Sequence, residues 1–110
     1  MSYPDYMSAT EKTICNRLIN SILQRGHSIE VHDECELVQV KTQDAKLVKE
    51  ATCHTGITSY RVWSTEKGYV GSMLLIHGNE EDVISDYSWP QDRPEMEAEL
   101  DKFFEEATGE

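Results

Sequence analysis

The sequence predicts an α+β domain in which helices pack on one face of an antiparallel sheet, in the order αββαβββα. Two helical patterns near the ends of the chain enclose stretches that alternate in period two around turn residues. No linker or repeat interrupts them, and 110 residues suffice for one hydrophobic core. We therefore expect a single acidic domain over 1–110, with 1–7 flexible.

The first helix is marked by Ser8-Ala9-Thr10-Glu11, which has capping-box spacing, and by Ile14, Cys15, Leu18, Ile19, Ile22 and Leu23, which form one apolar stripe. Gly26 is its expected stop, with Arg25 in the last turn. Two short strands follow, His27 to His32 and Cys35 to Lys41, turning at Asp33-Glu34. In the second, Leu37 points opposite to Val38 and Val40, so that strand calls for a bulge or for burial on both faces. Thr42 or Asp44 caps a short helix running to Cys53, with Leu47, Val48 and Ala51 inward and Gly56 as terminator.

Ile57 to Trp63 alternates as a strand, Thr65-Glu66-Lys67-Gly68 turns, and Tyr69 to His77 returns. The apolar run Met73-Leu74-Leu75-Ile76 makes that return strand a central one. Gly78-Asn79-Glu80-Glu81-Asp82 turns again, Val83 to Tyr87 forms a further strand, and Trp89-Pro90 breaks it. Asp92 with Glu95 is a second capping box, opening a helix whose buried stripe is Met96, Leu100, Phe103, Phe104 and Ala107.

Charge is unevenly distributed. The net charge is −11, yet residues 1–77 hold 9 acids and 8 bases while residues 78–110 hold 12 acids and 2 bases. Direct nucleic-acid binding is disfavoured, because phosphate contacts need clustered Lys and Arg. Basic protein partners or solubility account better for the excess. The longest apolar stretch, Met73 to Ile76, is far too short to span a membrane. Three cysteines, Cys15, Cys35 and Cys53, form no C-x-x-C pair and leave one over if two bridge, which points to a reducing cytoplasm.

Thr10-Glu11-Lys12-Thr13-Ile14, the segment from Thr42 to Gly56, the strand into Gly78-Asn79 and Val83-Ile84-Ser85-Asp86-Tyr87 together resemble small uncharacterised proteins of phage, prophage and proteobacterial genomes. The departure from that family comes after Tyr87, where Ser88-Trp89-Pro90 stands in place of a polar turn. The family carries no assigned activity. What the resemblance implies is a phage or mobile-element setting, hence a host cytosol, in which small acidic proteins can inhibit host nucleases.

Catalytic equipment is hard to name. The histidines at 27, 32, 54 and 77 have no H-x-x-x-H or H-E-x-x-H spacing, so no metal or other cofactor is expected. Cys53 and His54 are sequence neighbours, which does not set a thiolate against a base. Carboxylates at 33, 34 and 36 make Cys35 a poor nucleophile. In Ser85-Asp86-Tyr87 strand alternation sends Asp86 to the opposite face from its neighbours. The turn at 78–82 lacks the ligand pattern of a calcium loop.

The final helix stands out. Glu95 and Glu99, Glu97 and Asp101, and Asp101 and Glu105 are like-charged neighbours at i, i+4, while Glu105 and Glu106 face an unfavourable helix dipole. Together these cost about 1–3 kcal/mol. The reading that follows is a non-enzymatic interaction protein occupying a basic, nucleic-acid-binding surface of a partner. Its contacts are Glu80, Glu81, Asp82, Asp86, Glu97, Asp101 and Glu105, with Tyr87, Trp89 and Tyr69 as apolar anchors. The alternative is an accessory protein that self-associates, as a homodimer, through an exposed β-edge or aromatic surface, its acidity serving only solubility.

Overall fold

A computed structural model of the chain describes residues 7–109. Three helices, α1 (Ala9–Gln24), α2 (Ala45–Ala51) and α3 (Met96–Thr108), accompany five strands. The strands are β1 (Ser28–Asp33), β2 (Glu36–Thr42), β3 (Ile57–Ser64), β4 (Gly68–Ile76) and β5 (Ile84–Ser88). All pair antiparallel in the order β2-β1-β3-β4-β5, so the fold is α+β, as the alternation of patterns predicts. The sheet's helix-facing side presents Ile29 and Val31, then Thr58, Tyr60 and Val62, then Met73 and Leu75, all buried. Against them lie Ile14, Cys15, Leu18, Ile19 and Ile22 of α1 and Met96, Leu100, Phe103 and Ala107 of α3.

Local chemistry sets the helix ends. Ser8 accepts the Glu11 N–H at 3.1 Å, but the reciprocal half of the expected capping box is absent, because the Glu11 side chain is buried and used elsewhere. Gly26 adopts φ +81° and stops α1. Asp44, not Thr42, caps α2 by accepting the Lys46 N–H at 2.9 Å, while Thr42 Oγ1 takes the N–H of Asp44. That helix ends at Ala51, short of Cys53 and well before Gly56. Thr52 Oγ1 turns back to the Val48 carbonyl (2.7 Å) and meets the Tyr60 hydroxyl (2.6 Å), and Cys53 then takes φ +67°.

Other departures have physical reasons. Met7 is buried in the core, so the expected flexible segment excludes it, and residues 1–6 lie outside the described residues. The first hairpin turns at Glu34-Cys35, one residue later than expected, with Glu34 at φ +57°. The bulge called for in β2 is present, with two irregularities against β1, but burial on both faces is not. Leu37, Val38 and Val40 are all exposed because β2 is an edge strand, and Leu47 on α2 is exposed beside it. Interior β4 is flanked by β3 and β5, with β3 at the middle of the sheet. Asp92 does not cap α3. Pro94 disfavours helical geometry at Arg93, so the first turn closes by Met96 N–H to Arg93 O and Glu97 N–H to Pro94 O, and Glu95 occupies the cap without a side-chain bond.

Gly71 permits one close contact. A Cβ there would stand 2.4 Å from the Ser88 carbonyl oxygen and 2.7 Å from Leu100 Cδ1. Its absence, with φ +152°, lets α3 settle on the junction of β4 and β5.

Candidate functional site

The row of carboxylates on α3 owes its placement to the apolar stripe on the helix's other side. With Met96, Leu100, Phe103 and Ala107 buried, Glu97, Asp101 and Glu105 are carried along one side at i, i+4 and i+8, about 6 Å apart. Strand β5 supplies what lies beside them. Tyr87 donates its hydroxyl to Asp101 and stacks obliquely on Phe104, with ring centres 5.8 Å apart. Trp89 adds a third ring, 6.5 Å from Tyr87. The bond to Asp101, reinforced by burial and by the charges of Glu97 and Glu105, pushes the Tyr87 pKa up to about 12. The phenol therefore stays neutral at physiological pH, an amphipathic surface next to exposed Glu97 and Glu105.

Of the residues singled out in the sequence, the structure brings together Glu97, Asp101, Glu105, Tyr87 and Trp89. Glu80, Glu81 and Asp82 form a 3-10 turn that packs on α1, exposed, beyond the C-terminal end of the row; Glu81 shares a shallow hollow with Thr108 and Arg17. Asp86 stands opposite Leu74 on the sheet face away from the helices, as strand alternation predicts. Tyr69 also faces away, against Trp63 at 5.0 Å. On that open face Lys41 Nζ sits 4.4 Å from the centre of the Trp63 ring, whose buried Nε1 has no hydrogen-bond partner among the described residues.

The remaining acids of α3 are spent on structure. Glu106 forms a bidentate pair with Arg25, at 2.9 and 3.1 Å, and accepts the Ser21 hydroxyl. Those bonds hold its carboxyl down at about pH 2 and raise the Arg25 pKa. Glu99 meets His27 Nε2 at 3.0 Å. These contacts tie α3 to the end of α1 and offset the like-charge repulsion expected within the helix.

A second constellation escaped the sequence reading. Glu11 Oε1 lies 3.2 Å from His77 Nδ1, His77 Nε2 lies 2.8 Å from Thr58 Oγ1, and Thr58 Oγ1 accepts the Cys53 N–H at 3.0 Å. Glu11 Oε2 also accepts the Gly78 N–H at 2.7 Å. Burial lowers the His77 pKa against the opposing pull of Glu11, which suits a neutral ring donating from Nδ1 and accepting at Nε2. The order carboxylate, imidazole, hydroxyl is that of an activated nucleophile. Thr58, however, is fully buried, so a substrate in the adjoining cavity of about 290 Å³ does not reach its oxygen. As built, the chain of bonds fastens the start of α1 to the ends of β3 and β4. Positions 11, 58 and 77 lie too far apart in sequence for any spacing rule to join them.

Cys15, Cys35 and Cys53 form no disulfide with one another. Burial, with Glu11 and Cys53 nearby, pushes the Cys15 pKa up to about 12. No three His, Cys, Asp or Glu side chains cluster as a metal site among the described residues, and no described helix is long and apolar enough to cross a membrane. Compared with protein-family models, curated proteins and solved structures, the chain matches none.

Proposed function

We propose that this protein is a non-enzymatic interaction module that presents the Glu97–Asp101–Glu105 row, with Tyr87, Trp89 and Phe104 beside it, to a basic surface of a protein partner. The observation that carries this reading is the division of labour on α3. Glu106 is tied to the end of α1 and Glu99 to His27, whereas Glu97 and Glu105 project into solvent on either side of Asp101, which accepts from the Tyr87 hydroxyl. Carboxylates at about 6 Å intervals on a rigid helix can stand in for a run of phosphates. A groove of Lys and Arg that normally holds nucleic acid is the complementary surface, and occupation by this helix is competitive. Half-buried Tyr87, Trp89 and Phe104 supply the apolar contact that charge alone lacks. The resemblance to phage and prophage proteins makes a host defence complex a natural partner, met in the reducing host cytosol that three cysteines without a disulfide suit.

The test is capture of partners by wild type and by a Glu97→Lys/Glu105→Lys variant, at two ionic strengths. Asp101 is left intact because Tyr87 depends on it. Loss of a basic, nucleic-acid-handling partner from the folded variant, and weaker wild-type capture at high salt, support the reading. Equal capture by both proteins refutes it.

A further inference from the structure

We propose that two copies of this chain associate through their β2 edges, antiparallel, extending the five-stranded sheet into a continuous ten-stranded one. The two edges of the sheet are built differently. At one, β5 shows solvent Ser85, Asp86 and Ser88, the polar and charged side chains that discourage pairing. At the other, β2 pairs with β1 on one side, and three of its seven residues are large, apolar and exposed: Leu37 at 50 %, Val38 at 37 % and Val40 at 63 %. Leu47 of α2, which packs beside β2, adds to the same border. The Val40 carbonyl accepts the side-chain amide of Gln39 at 3.1 Å, an exposed bond that a neighbouring strand's N–H can replace.

A second copy fits this edge better than an unrelated partner because the strand is self-complementary. Antiparallel pairing about a twofold axis through Gln39 sets Val38 opposite Val40 of the other copy, twice. It also brings the Glu36 end of each strand beside the Lys41 end of the other, whereas parallel pairing would stack Glu36 on Glu36 and Lys41 on Lys41. Residues 36–42 hold one acid and one base, so this is an edge where two chains of net charge −11 can meet without opposing their acid excess. The acidic helix is remote from it, since α3 packs on β4 and β5 at the other end of the sheet. The irregularities in β2 leave Val38 and Val40 protruding and confine ladder contact to a short stretch, which suits a reversible dimer.

Sedimentation equilibrium of the full chain tests this. We expect a concentration-dependent mass rising from 12.6 kDa toward twice that value. Dimerisation should tighten as salt rises, because salt screens repulsion between two acidic copies; binding of a basic partner by α3 responds in the opposite sense, so the two readings fail independently. Val40→Lys sets two like charges into the interface and should weaken the dimer at least about tenfold, equivalent to about 1.4 kcal/mol. Val38→Lys should act likewise, with circular dichroism reporting the fold. Hydrogen exchange should show β2 amides gaining protection with concentration. A monomer up to about 1 mM, dimers of both lysine variants as tight as wild type, or concentration-dependent protection on β5 in place of β2 would each overturn the proposal.

Discussion

Tyr87 on β5 donates its hydroxyl to Asp101 on α3, and that bond joins the last strand to the last helix at the centre of the candidate surface. Removing it with Tyr87→Phe should cost about 1 kcal/mol, the net worth of one hydrogen bond, read as a lower melting temperature. In wild type the raised Tyr87 pKa stabilises the fold at every pH below the ordinary tyrosine value of 10.0, and this contribution is lost as pH climbs through about 12. Ultraviolet titration should accordingly show late tyrosine ionisation, of which the part due to Tyr87 moves to lower pH in Asp101→Asn.

Glu11 is buried and accepts from the buried His77 ring and from the N–H of Gly78, so Glu11→Ala should be among the more damaging single changes away from the apolar core. Stranding the His77 donor should cost about 1–3 kcal/mol, and the exposed Gly78 N–H adds less because water can replace Glu11 there. Denaturant unfolding measures it, and a loss below 1 kcal/mol would mean that water reaches both groups.

The lowered His77 pKa gives the fold an acid sensitivity of defined sign. An unfolded histidine takes up its proton near 6.5 and the folded one only at lower pH, so stability is full above 6.5 and falls as the pH drops below it. Glu106, depressed to about 2, adds a loss that begins near 4.5. In His77→Gln the first step of this acid profile should vanish while the second persists.

Gly71→Ala should destabilise through two effects, positive φ and a Cβ driven against the Ser88 carbonyl, each worth about 1–3 kcal/mol. Leu18→Ala and Phe103→Ala, which empty fully buried sites, should cost about 2–5 kcal/mol. Unchanged melting in any of the three would contradict the packing described.

Thiol titration offers a further check. Cys35 is exposed and Cys15 and Cys53 are buried, so Ellman's reagent should count one thiol per native chain and three after denaturation.

Periodicity made most of the architecture legible. The stripes of α1 and α3 and the alternation of β3 were readable because each faces one core, and burial then follows spacing. Prolines and edges were where spacing misled. Asp92-Arg93-Pro94-Glu95 looks like a capping box until Pro94 restricts the residue before it, and Leu37, Val38 and Val40 look buried until the sheet order leaves them at its border. Within the candidate site, the carboxylate row followed from helical spacing alone. The roles of Glu99, Glu106 and Asp101 did not, since His27, Arg25 and Tyr87 come to them only through tertiary packing.

The ties of α1 also bear on the order in which the chain acquires its structure. Glu11 bonds His77 across 66 positions, His27 meets Glu99 across 72, and Ser21 reaches Glu106 across 85. Contacts of such separation close large loops before they return any stabilisation. Of the three helices described, α1 is made first and α3 last, so the part of the α1 stripe that packs on α3 waits until that helix has emerged. Truncation within α3 should therefore yield an aggregation-prone chain, and folding should be slow for a protein of this size.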